Sequence, residues 1–430
     1  MKGFKKIEGV GQIPEHWGAV KLKYLAKKIK SGGTPSTHMP KFYASTKENG
    51  YLWVAIEDMK SSTITDTKRY ITQEGLKASS AHLVPPFSVL YAIYGASLGK
   101  VAYTDKTLTT NQGILAIQPN NKCFYKFLFY YFCAIEPNIK SLSTITTQNN
   151  LSLNIVKNLK IPLPPLEEQH AIAAFLEDKT AKIQECITKK TRMLELLKQY
   201  KQALIAQMTT KGLDPQARLK PSGVAWLGDI PEGWGVKKIK YVCQVNPKAR
   251  AKLPDEFTYI DLESVKSGAL LKEQRMQKAK APSRAQRLLK RGDILYQRVR
   301  PYQKNNFFFD REGDYVASTG YAQLRTQQNP KFIYYALHEE SFVNEVVHKC
   351  TGTGYPEISN NDLKDLFIPL PPLPEQHAIA AFLEEKTTKI DRLRTKLQAQ
   401  IQALKDYKSA LISAGVLGQI PLKDKHEKIH

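Results

Sequence analysis

Two nearly identical stretches organise this chain. Residues 161–183 read IPLPPLEEQHAIAAFLEDKTAKI and residues 368–390 read IPLPPLPEQHAIAAFLEEKTTKI, with 20 of 23 positions identical. Prolines fix φ and remove backbone donors, so each IPLPPL run predicts an extended segment. Acidic residues favour the first turn of a helix, and we expect the helices to begin near Glu167 and Glu375.

A seven-residue repeat runs through both predicted helices and indicates a coiled-coil seam over five heptads. The first row of seam positions is Ile172, Lys179, Cys186, Met193, Tyr200 and, in the second helix, Ile379, Lys386, Leu393, Gln400, Tyr407. From the second row we expect these side chains to pair the helices: Leu176, Ile183, Leu197, Leu204, Leu383, Ile390, Leu397 and Leu404. The simplest partner for each helix is the other. If a two-fold axis relates the repeats, the helices run antiparallel.

A second repeated element opens each half of the chain: Ile13-Pro14-Glu15-His16-Trp17-Gly18 and Ile230-Pro231-Glu232-Gly233-Trp234-Gly235. The residues between the repeated elements differ strongly, which indicates a fixed framework around two variable modules. We therefore predict an α/β protein with two globular recognition domains and two long, antiparallel coiled-coil helices. The predicted boundaries are 1–166 for domain 1, 167–212 for helix 1, 213–373 for domain 2, 374–417 for helix 2 and 418–430 for a C-terminal tail.

The net charge of +24 indicates a polyanionic partner, most often a nucleic acid. The charge lies in the modules: residues 1–167 carry +11 and residues 213–373 carry +7, against +2 for each helix. The alternative is a merely basic soluble protein. The chain has no apolar run long enough for a membrane span and no visible signal peptide, so we expect it in the cytoplasm without membrane contact.

The second module concentrates its charge in one stretch. Residues 272–304 contain eleven Lys or Arg residues and two acids. We predict a strand over Ile294-Leu295-Tyr296, with Arg298 and Arg300 on one side of its continuation. Arginine suits paired hydrogen bonds to base edges, whereas lysine suits phosphate. The residues predicted to contact DNA are Arg284, Arg287, Lys290, Gln297, Arg298, Arg300, Tyr302 and Lys304. A solvated basic face is the alternative.

The first module offers glycine-rich loops with hydroxyl and amide side chains, which permit close backbone approach to phosphate. The loops are 31–36, 94–100 and 110–113. The residues predicted to contact DNA are Gly33, Thr34, Ser36, Tyr94, Ser97, Lys100, Asn111 and Gln112. Read alone, each loop favours an ordinary turn over a phosphate-binding loop, and the spacing from Gly95 to Lys100 does not match a nucleotide-binding P-loop.

The sequence contains no complete catalytic motif. Pro85-Pro86-Phe87 resembles part of the tetrapeptide of amino-group DNA methyltransferases, but Val84 stands where Asp or Asn is required. His170 and His377 fall in the repeated EQHAIA run and are interpreted as framework. The five cysteines form no CxxC pair, so we expect reduced, mostly buried thiols and no metal site. We predict no catalytic residue.

These features together resemble the specificity subunit of type I restriction–modification systems. The resemblance rests on the twin IPLPPLxEQHAIAAFL runs, Trp226 to Trp234, Ile13 to Trp17, Ser31 to Ser36, Thr210 to Asp214, Lys290 to Leu295 and Arg300 to Tyr302. Members often have Gly and Pro near 146–149; here only the second copy keeps them, in Thr353-Gly354-Tyr355-Pro356.

The resemblance implies that each module reads one half of a bipartite site in double-stranded DNA, while the helices set the spacer and dock two methyltransferase subunits. It also implies restriction subunits that join the complex. This chain would bind no cofactor, with S-adenosylmethionine, ATP and Mg²⁺ on the partner subunits. The alternatives are a self-contained DNA-modifying or DNA-cleaving enzyme with two specificity modules, and an adaptor that binds DNA without sequence preference.

Overall fold

The computed structural model describes residues 3–142, 151–248 and 253–421, with only the backbone given for 140–142. The predicted departure at 146–149 and most of the predicted C-terminal tail lie outside these ranges. The chain forms two compact units. The first unit contains residues 1–190 and 399–430, and the second contains residues 191–398. Each therefore combines one variable module with part of each long helix.

The first variable module and the long helix after it contain these elements: β1 (Phe4–Ile7), β2 (Gly11–Pro14), β3 (Gly18–Lys21), β4 (Ala26–Ser31), β5 (Tyr43–Ala44), β6 (Tyr51–Val54), β7 (Tyr70–Ile71), α1 (Gln73–Lys77), β8 (Ser88–Ala92), β9 (Val101–Thr104), β10 (Thr109–Thr110), β11 (Ile114–Pro119), α2 (Tyr125–Leu142), α3 (Leu153–Asn158), β12 (Lys160–Leu163) and α4 (Leu166–Lys211).

The second variable module and its long helix contain these elements: β13 (Leu219–Pro221), β14 (Asp229–Pro231), β15 (Gly235–Lys238), α5 (Ile239–Val242), β16 (Cys243–Val245), β17 (Glu256–Ile260), β18 (Val265–Lys266), β19 (Ala269–Leu270), β20 (Gln274–Gln277), β21 (Ala285–Leu288), β22 (Ile294–Gln297), β23 (Phe307–Phe308), β24 (Tyr315–Ser318), β25 (Tyr321–Thr326), α6 (Pro330–Ala336), α7 (Glu340–His348), α8 (Asn360–Asp365), β26 (Phe367–Leu370) and α9 (Leu373–Val416).

The two variable modules share the strand order of one sheet and a parallel strand pair in a second sheet, despite their different sequences. An antiparallel sheet has the order β4-β11-β8-β9 in the first module and β16-β25-β22-β23 in the second. A second sheet contains the parallel pair β6–β10 in one module and β17–β24 in the other. The strands β8 and β22 are buried along their whole length, in agreement with the apolar runs 89–92 and 294–296 within them. The α/β recognition fold is therefore built twice.

The repeated framework elements meet in each module. The IPL run supplies β12, which pairs with β3 so that Ile161 faces Val20. In the second module β26 pairs with β15 in the same antiparallel way, with Pro369 opposite Val236. Each of these sheets has two strands, so every strand is an edge strand. Proline is tolerated there because its missing N–H group can face away from the partner strand. The predicted extended approach to each long helix is confirmed.

Two buried glutamines explain why the EQ pair recurs at the start of each long helix. The side chain of Gln169 accepts a hydrogen bond from the Phe124 amide at 2.7 Å and donates to the carbonyl oxygens of Lys122 and Pro164. Gln376 likewise accepts from the amide of Asn329 at 3.1 Å. Both side chains are fully buried. These bonds fix the helix start against the module, which is a framework role.

The two long helices run antiparallel within each unit. In the first unit, Leu176 lies so close to Gly415 that a Cβ on that glycine would be 2.9 Å from a leucine methyl. The same unit contains a 2.7 Å hydrogen bond from Lys190 to Gln400. In the second unit, Lys201 Nζ lies 2.6 Å from a carboxylate oxygen of Asp391. The helix pairing expected from the repeat is therefore present.

The second predicted seam row is in the seam, whereas the first row is wrong over most of its length and keeps only Ile172 and Ile379 buried and Gln400 bonded to the other helix. Six leucines and isoleucines of the second row are buried, whereas Leu197 and Leu404 are half-buried. In the first row Met193, Tyr200, Leu393 and Tyr407 are exposed. The true partner row lies one residue later and contains Thr180, Ile187, Leu194, Lys201, Met208, Thr387, Arg394, Ile401 and Lys408.

Polar members explain the misplaced row. Lys201 and Lys408 turn their amines to Asp391 and Gln184, while Thr180 and Thr387 lie against module tyrosines. These side chains bury their stems and keep a partner for their polar ends. A count of apolar residues therefore favoured the neighbouring row.

Candidate nucleic-acid interface

The basic stretch of the second module does not continue as a strand. Strand β22 ends at Gln297, and the chain then turns through Arg300 in the left-handed region (φ 53°), a 3₁₀ turn over Pro301–Gln303 and Lys304, also left-handed (φ 53°). The expectation that Arg298 and Arg300 share one side of a strand is wrong. The segment reverses direction here to enter β23, which a continuing strand could not do.

The first module has the same turn in the same place. Strand β8 ends at Ala92, and a 3₁₀ turn over Gly95–Ser97 follows before β9, with Gly95 (φ +66°) at its start and Gly99 (φ +87°) after its end. We call residues 93–100 and 298–305 the tip loops. Their first residues make matching bonds: the Ile93 amide donates to Gly113 at 3.0 Å, and the Arg298 amide donates to Gly320 at 3.1 Å. The residues predicted from unrelated motifs in the two modules thus fall on equivalent loops.

Three predicted loops of the first module come together. The Thr34 hydroxyl donates to the Gln112 side chain. The Gly33 amide donates to Thr110 at 2.9 Å. A Cβ on Gly113 would be 3.4 Å from the ring of Tyr94, which brings the tip loop to the same place. The exposed members of this surface are Thr34, Ser36, Tyr94 and Gln112, with Ser97, Lys100 and Asn111 partly exposed.

Gly33 itself is buried and has a packing role. A Cβ at this position would be 2.3 Å from the backbone nitrogen of Ala81, so no larger residue fits. Its carbonyl oxygen accepts a 2.9 Å hydrogen bond from the indole of Trp53. Because its amide and its carbonyl oxygen both have partners within the module, Gly33 shapes the loop, while the adjacent Thr34 faces solvent.

Three predicted DNA contacts of the second module have partners inside the protein. Gln297 is 3% exposed and accepts a hydrogen bond from the Asn305 amide at 2.9 Å. The guanidinium of Arg298 is 14% exposed, forms an ion pair with Glu357 and donates to two backbone carbonyls. Lys304 forms an ion pair with Glu340. Their polar groups already have the partners that DNA would otherwise supply.

The other predicted residues of this module keep unsatisfied cationic or aromatic surface. Arg284, Lys290 and Tyr302 are exposed. The Nε groups of Arg287 and Arg300 have no hydrogen-bond partner among the described residues. Burial, and then repulsion by Arg298, lower the pKa of Arg287 from its ordinary value. A nearby anion would stabilise the charged form of Arg287.

A cleft of about 1050 Å³ lies over the face of the second module formed by α5, β16 and the end of β25. Its cationic lining residues are Lys240, Lys248, Lys290, Arg325 and Lys364. Arg325 also forms an ion pair with the buried Asp293 at 2.7 Å. Four of these cations, Lys240, Lys248, Arg325 and Lys364, were not predicted from the sequence. The fold brings them together from segments that together span more than a hundred residues.

The corresponding face of the first module is also basic. Lys28 on β4 is opposite Gln118 on β11, as Gln244 on β16 is opposite Arg325 on β25. Burial first, and then the charges of Lys30 and Lys28, lower the pKa of His82 beside them. Each module therefore presents cations on the same sheet face, in addition to its tip loop.

The described residues give no sign of a metal centre or a membrane segment. Within 3–142, 151–248 and 253–421, no group of three potential His, Cys, Asp or Glu ligands comes together. No helix in that part of the chain is long and apolar enough to cross a bilayer. All five cysteines are free, and burial raises the pKa of Cys123 and Cys243 to about 12. These two thiols are therefore protonated and unreactive at neutral pH.

Comparisons with known proteins agree with this architecture. Residues 14–196 and again 231–403 match the family described as the type I restriction modification DNA specificity domain. The specificity subunit of the type I restriction enzyme MjaVIII of Methanocaldococcus jannaschii is 25% identical over 448 aligned residues, covering 98% of this chain and 97% of that protein. The EcoR124I/EcoR124II specificity subunit of Escherichia coli is 30% identical over 168 residues, which cover 37% of this chain and 41% of that protein.

Solved structures share the fold. A chain from a study of complex assembly and conformational transition of the type I R-M system superposes with a TM-score of 0.70 at 20% identity, covering 95% of this chain and 99% of that chain. The HsdS subunit of Thermoanaerobacter tengcongensis superposes with a TM-score of 0.52 at 20% identity, covering 95% and 98% respectively.

A repeated α/β module with a cationic sheet face, followed each time by a long helix, defines a two-module DNA-recognition protein. The chain belongs to the specificity subunits of type I restriction–modification systems, the non-catalytic subunits that recognise DNA targets through two domains.

Proposed function

We propose that this specificity subunit reads a bipartite, asymmetric site in double-stranded DNA, one half-site through each variable module. The observation that carries the proposal is the equivalence of the tip loops. In one module the left-handed positions are Gly95 and Gly99, and in the other they are Arg300 and Lys304. One backbone frame thus presents different side chains, as two modules that read different sequences require.

Within each module we assign separate roles to two surfaces. The tip loop and its neighbours, with Thr34, Tyr94 and Gln112 in one module and Arg284, Arg287 and Tyr302 in the other, supply contacts to base edges. The sheet face around Lys290 supplies phosphate contacts, because lysine acts as a point charge without the paired geometry that discriminates bases. Arg298, Gln297 and Lys304 hold the tip loop in shape.

Membership of the specificity-subunit family supports a proposal for the partners. We propose that two methyltransferase subunits dock on this chain and that restriction subunits join the complex. S-adenosylmethionine, ATP and Mg²⁺ then bind to those partners, and this chain supplies the DNA sequence specificity. Membership of the specificity-subunit family favours this arrangement over a self-contained DNA-modifying or DNA-cleaving enzyme.

Salt titration of the complex with its methyltransferase partner tests the division of roles. Changing Lys290 to Ala should weaken binding to every duplex and reduce the slope of log affinity against log salt by about 0.9 for one lost phosphate contact. The exposed Lys220 on β13, changed to Ala, is the matched control. If wild-type protein binds selected and random duplexes equally at all salt concentrations, the sequence-reading role is wrong.

A further inference from the structure

The loop over 351–357 presents an exposed tyrosine on a closed backbone frame. Thr351 and Glu357 exchange two backbone hydrogen bonds of 3.0 Å each, and Gly352 between them has a φ of +94°. Tyr355 is 70% exposed at the loop's outer end. An exposed aromatic ring gains little from burial, so burial does not account for its position.

This loop is fastened to the tip loop of the same module. The Arg300 amide donates to the carbonyl of Pro356 at 2.7 Å, and the Ile358 amide donates to the carbonyl of Arg298 at 3.1 Å. The Arg298–Glu357 ion pair adds a side-chain link. Tyr355 therefore belongs to the surface that we assign to DNA, although it lies more than fifty residues further along the chain.

Arg300 places its charge against this ring. Its guanidinium carbon is 4.2 Å from the ring centroid of Tyr355, and Nη2 donates to the carbonyl of Gly354 at 3.3 Å. A cation at this distance is attracted to the aromatic face. Left-handed backbone at a non-glycine residue is strained, and such strain persists where surrounding contacts hold it. Here the contacts from Arg300 to 354–356 hold it.

We infer that Tyr355 is a DNA-contact residue that packs its open side on a base or deoxyribose of the half-site read by this module, and that Arg300 is its positioning residue. The inference rests on the proposed function and extends it to a residue absent from the basic stretch. The charges indicate the class of partner. Arg300 backs the ring, and the Nε groups of Arg287 and Arg300 have no hydrogen-bond partner among the described residues. Such a surface suits a ligand that combines phosphates with aromatic bases.

Photo-cross-linking tests this contact in the complex of the full chain with its methyltransferase subunit. The probe is the selected duplex with each thymine replaced in turn by 5-iodouracil, which cross-links to an aromatic side chain in close contact. We expect a cross-linked peptide containing Tyr355 from one half-site only. We also expect Tyr355→Ala to lower affinity about tenfold without changing the salt slope, because the ring carries no charge.

Matched variants distinguish the loss of the Tyr355 ring from a loss of folded structure. Tyr355→Phe should keep near wild-type affinity, and Tyr407→Ala, at an exposed tyrosine of the long helix α9, should leave DNA binding unchanged. Arg300→Ala should weaken binding and lower the salt slope. Its effect combined with Tyr355→Ala should be smaller than the sum of the two, because Arg300 acts partly through the ring.

Two results would overturn this inference while leaving the proposed function intact. In the first, the wild-type protein selects a DNA sequence and Tyr355→Ala binds that sequence with unchanged affinity. In the second, Tyr355→Ala no longer binds the methyltransferase subunit but keeps its DNA contacts. The second result would make Tyr355 a protein-docking residue. If wild-type protein selects no sequence, the proposed function fails together with this inference.

Discussion

The indole nitrogen of Trp17 donates a 2.9 Å hydrogen bond to the carboxylate of Glu168, in the first turn of the first long helix. The second half of the chain repeats this bond, from Trp234 to Glu375 at 3.0 Å. The tryptophans belong to one repeated element and the glutamates to the other. This bond explains why both elements recur: each module is attached to the start of its long helix by the same side-chain pair.

Replacing either tryptophan by phenylalanine should remove this attachment. Each substitution removes one indole donor from a carboxylate: Trp17→Phe leaves Glu168 with His16 as a partner, and Trp234→Phe removes the indole donor of Glu375. A hydrogen bond to a charged group contributes about 1.5–3 kcal/mol. We expect a loss of unfolding free energy in that range, measured by urea denaturation. Trp226→Phe is the control, because that indole packs against Phe342 and its nitrogen has no carboxylate partner among the described residues. Equal losses in all three variants would assign the effect to ring size.

The corrected seam makes a second prediction. Leu176 and Leu383 are fully buried on the two long helices, so changing either to Ala should cost about 2–5 kcal/mol. Met193 is 50% exposed, and Met193→Ala should cost less than about 0.5 kcal/mol. Thermal unfolding of the three variants measures this. A large loss at Met193 with none at Leu176 would restore the row predicted from the apolar count.

Half of the helix seam could be predicted from the sequence. A heptad count identified both helices and one row of the interface, because leucine and isoleucine at those positions have no role other than burial. It missed the partner row, since Lys201 and Lys408 are polar in the sequence and become seam residues only when Asp391 and Gln184 face them.

The tip loops show a second limit. The glycines at 95 and 99 indicate a turn, whereas the sequence around Arg300 and Lys304, at the equivalent positions, favours a basic strand. Their left-handed backbone depends on Tyr355, Glu340 and other partners that are distant in sequence. Local propensity therefore favours the wrong structure, and contacts within the folded module override it.

Arg298 should behave as a structural residue. Its guanidinium joins Glu357 and the carbonyl of Ile358, so Arg298→Ala leaves a carboxylate and a carbonyl without their donor. We expect a loss of about 1–3 kcal/mol in unfolding free energy and an unchanged base preference in the folded fraction. Arg284→Ala, at an exposed arginine of the same module, should lower affinity without loss of stability. Relaxed base preference in a fully stable Arg298→Ala protein would contradict this assignment.

The central claim is that each variable module reads its own half of one DNA site, and module exchange with methylation mapping tests it most directly. Residues 236–360 are replaced by those of another specificity subunit, the chimera is co-expressed with the methyltransferase subunit, and methylated bases are located genome-wide at single-base resolution. We expect one half-site to change while the other half-site and the spacer length stay the same. A change in both half-sites, or in neither, would contradict the account.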